Sequence, residues 1–169
     1  MRSLWLWDEL SKHYANNPWV AGYNPLNEPA DPSHTRVVEW YDEVYSIIRS
    51  HDSNHIIFWD GNTFATDFSH FGTYWKRWSN CAFSLHDYAH YGSPAFKEDY
   101  TSSDEQRKKL EEGLVAKQQW MVDRGLCIWN GEWGPLYARE TVEGDKAPAI
   151  NEMRYCVLND QLELYSKVC

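Results

Sequence analysis

Apolar residues recur along the chain with the three-to-four-residue spacing that is typical of amphipathic helices. Four segments show this spacing or the sequence signals of a helix start. They are marked by Leu4, Trp7, Leu10 and Tyr14; by Val37, Tyr41, Val44 and Ile48; by Ser102 and Ser103, each with Glu or Gln three residues later; and by Ile150, Met153, Val157 and Leu164. The first of these helices should stop at Asn16-Asn17-Pro18. The third begins with a capping box and should run to about residue 123.

Short apolar runs rich in β-branched and aromatic residues separate these helices and predict strands. The runs cover residues 19–24, 55–60, 81–86 and 126–131. Each run is nearly continuously apolar rather than alternating, as expected for strands buried on both faces of a sheet. Residues 67–80 predict a short helix or an irregular connection between the second and third strands.

Strands that alternate with helices indicate an α/β protein with parallel strands and right-handed crossovers. We treat residues 1–169 as one domain, because the chain has no repeat, linker or low-complexity segment. Two architectures fit: an open doubly wound, flavodoxin-like sheet and part of a (β/α)8 TIM barrel. No glycine-rich phosphate loop follows any strand, which weakens the nucleotide-binding form of the first. Polar residues gather just after the carboxyl ends of the strands, which is the position of a barrel active site.

Composition excludes several partners. A net charge of −9 argues against nucleic acid, and no apolar run reaches the ~20 residues of a membrane helix. Ten Trp and eleven Tyr exceed what a core needs and suggest a cleft on which sugar rings stack. The four cysteines form no C-x-x-C pair, so they suggest neither a zinc site nor a thioredoxin-like motif. We expect no metal and no cofactor. The chain shows no signal peptide and no glycosylation sequon, which favours a cytoplasmic location, and an extracellular location stays open if the N-terminus is truncated.

The chemistry centres on two glutamates at predicted strand ends. Glu28 follows the first strand within Asn24-Pro-Leu-Asn27-Glu28-Pro29, and Glu132 closes the fourth strand within Asn130-Gly131-Glu132-Trp133. His86-Asp87-Tyr88 follows the third strand. Glycoside hydrolysis uses one carboxylic acid to protonate the leaving oxygen and a second to attack the anomeric carbon or activate water. The pattern therefore predicts hydrolysis of a glycosidic bond.

These motifs resemble those of glycoside hydrolase family 5, the cellulase-like retaining β-glycosidases with (β/α)8 barrels. The phrases NPWVAGYNPLNEPAD, DGNTFATDFSHF and IWNGEWGPLYA look closest to the fungal-type members. The resemblance implies that Glu28 is the acid/base and Glu132 the nucleophile. It implies that Asn27 binds the sugar 2-hydroxyl, and that His86 and Tyr88 support the nucleophile and the bound sugar. Trp133, beside Glu132, is the best candidate for direct sugar contact.

Other polar and aromatic residues near these motifs have a simpler structural interpretation. Asp60-Gly61-Asn62 is a turn sequence, so we expect Asp60 and Asn62 to form a turn rather than to bind a ligand. Trp59 and Trp129 fit either the core or a sugar platform. His86 and His90 would need a helix to share a metal ion, and their segment is predicted as a strand end followed by a loop.

The chain is shorter than the ~250 residues of a full barrel. The resemblance places its strands as four to seven, so the first three strands and the last would lie outside it. The sugar-contacting arginine, histidine and tryptophan that the family carries there would be absent too. An open sheet leaves its edges unpaired, so we expect either a truncated gene product or assembly with another copy or with the missing barrel part. The alternative function is a non-catalytic remnant that binds carbohydrate.

Overall fold

The computed structural model describes residues 2–91, 98–136 and 138–168. Within these residues the longer elements follow the predicted alternation of helices and strands. They are α1 (Arg2–Tyr14), β1 (Gly22–Tyr23), α2 (Arg36–His51), β2 (Ile56–Asp60), β3 (Cys81–Ala89), α3 (Asp104–Val122), β4 (Ile128–Pro135) and α4 (Ala147–Val168). Short helical turns connect them at Asn62–Ala65, Ser69–Phe71, Tyr74–Lys76, Glu140–Glu143 and Gly144–Lys146.

The strands form a sheet in the order β1-β2-β3-β4, which is also their order in the chain. β1 pairs with β2 in parallel, with Gly22 opposite Ile56, and β2 pairs with β3 in parallel, with Ile57 opposite Cys81. A doubly wound sheet reverses its strand order at a switch point, whereas the strands of a (β/α)8 barrel follow one another in sequence. The partial-barrel prediction is confirmed, and the flavodoxin-like alternative is wrong.

The chain divides into two compact units whose boundaries fall within β3, α3 and β4. The first unit holds the residues up to His86 together with Gln118–Gly131. The second holds Asp87–Lys117 and the residues from Glu132 onward. Each unit therefore carries one of the two glutamates that the sequence selected.

The first unit has a core built from the inward stripe of α2 and a group of aromatic rings. The four α2 positions predicted from their spacing, Val37, Tyr41, Val44 and Ile48, are all buried. The Tyr41 ring packs on Trp59 with centroids 4.6 Å apart, and Trp59 is fully buried. Trp59 is therefore a core residue and not a sugar platform.

The second unit has a smaller core in which Tyr91 and Tyr100 pack with Val157 of α4. The Tyr100 hydroxyl donates a hydrogen bond of 2.8 Å to Asp160 in this core. At the start of α3, the backbone N–H of Gln106 donates to the Ser103 hydroxyl at 3.3 Å, half of the predicted capping box. Among the described residues, no helix is long and apolar enough to cross a membrane.

A buried carboxylate beneath β1 and β2 should make stability depend on pH. Burial alone would raise the pKa of Asp52, but hydrogen bonds from the Tyr23 hydroxyl, the amides of His55 and Asn54 and the His55 ring lower it to about 2. A depressed folded-state pKa gives stability that is present above the unfolded pKa of ~3.9 and is lost as pH falls towards 2. We expect Asp52 to contribute about 2 kcal/mol of unfolding free energy that disappears over this range.

Urea unfolding between pH 2 and pH 6 measures this contribution. The Asp52→Asn variant should be less stable at pH 6 and should lose less stability on acidification than the parent chain. Asp123→Asn, at an exposed position on the same unit, is the control and should keep the parent's profile. Equal acid sensitivity of the parent and Asp52→Asn would contradict the expectation.

Candidate active site

Glu28 has an unusual backbone conformation that a buried aspartate holds in place. Its φ is +46°, in the left-handed region that side chains other than glycine rarely adopt. The backbone N–H of Glu28 donates a 2.9 Å hydrogen bond to Asp60 Oδ2. Conformations of this kind cost on the order of 1–3 kcal/mol and persist only where the surroundings fix them. The position of the Glu28 carboxyl is thus set by β2 as well as by its own segment.

Asp60, the last residue of β2, is buried and makes several polar contacts with the residues around Glu28. Its side chain is fully inaccessible, and its second oxygen, Oδ1, accepts from Asn24 Nδ2 at 2.7 Å. His86 Nε2 lies 3.6 Å from Oδ2, and the Asp60 carbonyl accepts from the Tyr41 hydroxyl at 3.0 Å. Buried carboxylates are stable only when hydrogen bonds or ion pairs compensate for lost hydration. The prediction that Asp60 forms a turn is wrong, because Asp60 belongs to β2 and its carboxylate positions the residues around Glu28.

His86 lies between the Asp60 carboxylate and the Glu28 carboxyl. Its Nδ1 lies 2.8 Å from Glu28 Oε1, and the imidazole is buried on β3. The structure therefore places His86 on the predicted acid/base. Its opposite ring nitrogen faces Asp60, so both sides of the imidazole meet a carboxylate. The ring can orient the Glu28 side chain, whichever tautomer it adopts.

In the second unit, the Tyr88 hydroxyl donates a 2.8 Å hydrogen bond to Glu132 Oε2. Both residues are partly buried, and they belong to β3 and β4 respectively. A phenol O–H that donates to a carboxylate oxygen holds that oxygen in a fixed position. Glu132 has in this contact the kind of support that a carboxylate nucleophile needs.

Asp87, between His86 and Tyr88 in the chain, ties β3 to the helices of the second unit. Lys117 Nζ and the Tyr165 hydroxyl each donate to its carboxylate at 2.6 Å. The Tyr165 ring also meets Trp133 edge-on, with centroids 5.2 Å apart and planes at 89°. Trp133 is 36% exposed, so its indole is supported on one side and open to a ligand on another.

Two further residues of the sequence prediction lie at accessible positions of the first unit. Asn27 is exposed and, with Glu28, lines an open pocket of about 600 Å³ that extends to Trp40. Trp129 is 53% exposed and packs against Phe58 with centroids 5.6 Å apart. Asn27 and Glu28 thus lie together at a concave, accessible surface.

Comparison with known proteins assigns the family. Residues 4–160 match the family model described as cellulase (glycosyl hydrolase family 5). The chain belongs to glycosyl hydrolase family 5. It is 58% identical over 166 residues to a β-xylosidase of Phanerodontia chrysosporium, which covers 98% of the chain and 35% of that relative.

Solved structures of family 5 share the fold. The endoglucanase Cel5A of Thermotoga maritima superposes with a TM-score of 0.74 and 22% identity, over 98% of this chain and 55% of that one. The cellulose synthase subunit Z of Clostridioides difficile gives a TM-score of 0.67 and 19% identity, over 89% and 57% of the two chains. The chain therefore spans about a third of its curated relative and about half of these structures.

Two residues that position the family 5 motif residues were not identified by the sequence analysis. Asn24 and Asp60 have no motif of their own, yet they fix the Glu28 segment through the contacts described above. The signal that could have revealed Asp60 is its position at the carboxyl end of a buried strand, where barrel enzymes place functional groups.

Asp60→Ala should destabilise the protein and misplace the Glu28 carboxyl. The substitution removes the acceptor of the Glu28 N–H, and a buried hydrogen bond left unmade costs about 1–3 kcal/mol. The Asn24 amide loses less, because it is exposed and also donates to the Phe58 carbonyl at 3.3 Å. We expect a loss of about 1–3 kcal/mol in the free energy of urea unfolding. Asp60→Asn keeps the shape and one acceptor oxygen and should lose less. An Asp60→Ala variant as stable as the parent would contradict the proposed stabilising role of the Asp60 carboxylate.

Gly131→Ala tests how closely β4 approaches His86 in this family 5 chain. A Cβ at position 131 would lie 2.8 Å from Ser84 Oγ and 3.1 Å from His86 Nε2, so the Ser84 hydroxyl would have to move and the imidazole to give way slightly. Overpacking of this kind costs about 1–3 kcal/mol. Gly113→Ala is the control, because a Cβ there meets nothing within 4 Å and alanine favours the helix by ~0.5–1 kcal/mol. Thermal unfolding should show opposite signs, and a neutral Gly131→Ala would contradict the crowding.

Proposed function

We propose that the chain carries the catalytic residues of a retaining β-glycosidase, with Glu28 as the general acid/base and Glu132 as the nucleophile. The observation that supports this most is that each glutamate has its own polar partner on β3. His86 lies at Glu28, and Tyr88 donates to Glu132. Membership of family 5, argued above, gives this pairing its chemical context.

Different surroundings suit the two carboxyl groups to different tasks. The nucleophile must be held in one orientation, and the hydrogen bond from the Tyr88 O–H to Oε2 fixes the orientation of the Glu132 carboxyl. The acid/base must give up a proton and recover it, so it needs a partner that holds the carboxyl in place through both states. His86 supplies that partner to Glu28, because an imidazole nitrogen can donate or accept a hydrogen bond.

The reaction proceeds in two displacements. In the first, a Glu132 oxygen forms a bond to the anomeric carbon as the glycosidic C–O bond breaks, and the Glu28 carboxyl protonates the departing oxygen. In the second, the Glu28 carboxylate removes a proton from water, and this water displaces Glu132 from the anomeric carbon. Both residues return to their starting states. The mechanism requires the two carboxyl groups to be ~5–5.5 Å apart when the substrate is bound.

The remaining motif residues would bind the sugar. Asn27, beside Glu28 at the open pocket, can donate to the 2-hydroxyl, where a hydrogen bond strengthens in the transition state. Trp133 offers a supported indole face for ring stacking. Because the 58%-identical relative is a β-xylosidase, we propose β-xylosides and β-glucosides as the substrate class. The two sugars differ only in the hydroxymethyl group at C5.

Covalent trapping tests the function and the nucleophile together. Dinitrophenyl 2-deoxy-2-fluoro-β-xyloside and -β-glucoside carry a good leaving group, while the fluorine slows both displacements by destabilising the oxocarbenium-like transition state. The glycosyl-enzyme should therefore accumulate. We expect one sugar per chain in the intact mass and, after proteolysis, attachment at Glu132. The Glu132→Gln variant should stay unlabelled.

The alternative is a chain that binds carbohydrate without turning it over, in keeping with its span of about a third of the curated relative. That alternative predicts saturable binding of xylo- or cello-oligosaccharides without labelling and without release of dinitrophenol. A label on another carboxylate would instead refute the assignment of the nucleophile.

A further inference from the structure

Two histidines and an aspartate from two loops converge in the first unit. They are His34 from the loop after β1, and Asp67 and His70 from the loop after β2. One ligand atom of each lies within 4.8 Å of the other two. The His34 and His70 rings face one another with centroids 4.3 Å apart. The proposed reaction assigns no role to these three side chains.

The loop backbone holds these side chains together. Asn62 and Asp67 form an isolated bridge, with N–H to carbonyl hydrogen bonds of 2.8 and 2.9 Å. Asn62 also joins the first loop, because its Oδ1 accepts from the Asp31 N–H and its Nδ2 donates to the Asp31 carbonyl. His34 has a φ of +57°, in the left-handed region. Such a conformation persists only where the surroundings fix it, so the loops set the direction of the His34 side chain.

The donor atoms suit a small divalent cation. Asp67 Oδ1 accepts from the Ser69 N–H and hydroxyl, and Oδ2 lies 3.6 Å from His34 Nδ1. Nitrogen and carboxylate ligands at 2.0–2.2 Å from a tetrahedral zinc ion are about 3.3–3.5 Å apart.

We propose that His34, Asp67 and His70 form a zinc-type metal site that links the loops after β1 and β2. Two imidazoles and one carboxylate supply three protein ligands, and water completes the tetrahedron. Zinc uses the lone pair of His34 Nδ1, which otherwise accepts from Asn62 Nδ2 at 2.8 Å. Asn62 then keeps its two hydrogen bonds with Asp31.

The bound ion would stabilise the loop that follows the Glu28 segment. A ligand that binds only the folded chain raises the free energy of unfolding by RT ln(1 + [L]/Kd). The His34 side chain is about one-third exposed and His70 is exposed, so the ion can enter from solvent. Nitrogen ligands favour zinc over magnesium or calcium, which prefer oxygen.

Calorimetric titration of the chain with zinc chloride, paired with thermal unfolding, tests the site. His70→Ala removes an exposed ligand and should fold as the parent does, so equal unfolding temperatures without metal confirm intact structure. We expect its zinc affinity to fall at least about tenfold. Even the loss of a residue that only hydrogen-bonds to a metal ligand lowers metal affinity about 10–100-fold. His13→Ala, an exposed histidine on α1, is the matched control and should bind as the parent does.

Zinc should raise the unfolding temperature of the parent and of His13→Ala, but not that of His70→Ala. Asp67→Asn provides a second test, because an amide oxygen can still accept from Ser69 but carries no charge for the metal. Parent-like zinc affinity in both His70→Ala and Asp67→Asn would place the ion elsewhere and overturn the proposal. A parent chain that binds no zinc at micromolar concentration would also overturn it.

Discussion

Glu132→Gln should reduce the hydrolysis of aryl β-xylosides and β-glucosides by at least about a thousandfold, equivalent to ~4 kcal/mol of transition-state stabilisation. An amide cannot form the glycosyl ester, so the first displacement is lost. The glutamine can still accept the Tyr88 hydrogen bond through its carbonyl oxygen, so the fold should be retained. Release of nitrophenol under steady-state conditions measures the loss.

The position of the defect can be confirmed by restoring a nucleophile. In Glu132→Gly, added azide should occupy the vacated space and attack the anomeric carbon of an activated glycoside, giving a glycosyl azide of inverted configuration. Glu112→Gln, on the exposed side of α3, is the control and should hydrolyse as the parent does. Parent-like turnover by Glu132→Gln would show that another group attacks the sugar.

Glu28→Gln should produce a loss that depends on the leaving group. Proton donation by a positioned side chain contributes about 10²–10⁴-fold, and a glycoside with a basic leaving group needs this donation in full. Dinitrophenolate leaves without a proton, so the first displacement on a dinitrophenyl glycoside should be nearly unchanged. The comparison of kcat/KM for a methylumbelliferyl and a dinitrophenyl glycoside measures the difference.

The matched control for Glu28→Gln is Glu9→Gln, at an exposed position of α1 in the same unit. This variant should show the parent's ratio for the two glycosides. If Glu28→Gln lowers kcat/KM equally for both leaving groups, Glu28 does not act as the acid, and its contact with His86 has a structural role.

The helices of this chain follow from local sequence, whereas the strand boundaries do not. The α2 stripe was predicted correctly because its apolar spacing is itself the cause of its burial. The strands shifted: β1 contains only Gly22 and Tyr23, and β3 continues to Ala89 rather than ending at His86. Pairing with the neighbouring strand sets these ends, and a single sequence does not contain that information in local form.

For the candidate site, the sequence predicted the residues with motifs and missed those defined by burial. Glu28, Tyr88 and Glu132 stand at recognisable positions after apolar runs. Asp60 looked like a turn residue because Asp-Gly-Asn occurs in turns throughout proteins. Its role depends on the chain from Asn24 to Glu28 folding over it, which is a contact across more than thirty positions.

The cluster of His34, Asp67 and His70 shows the same limit in loops. His34 is separated from the other two residues by α2 and β2, so no spacing rule links them. Parallel strands bring the loops at their carboxyl ends to one edge of the sheet. That rule brings the two loops near each other, but the directions of the three side chains depend on the Asn62 bridge.

The positive φ of Glu28 has an evolutionary consequence. Glycine adopts this conformation without strain, so Glu28→Gly would relieve a local cost of about 1 kcal/mol or more while removing the carboxyl. Selection for stability alone would therefore favour loss of the acid at this position. A lineage that did not use the proposed reaction would be expected to drift towards glycine or asparagine here, so a glutamate at position 28 would mark selection for that reaction.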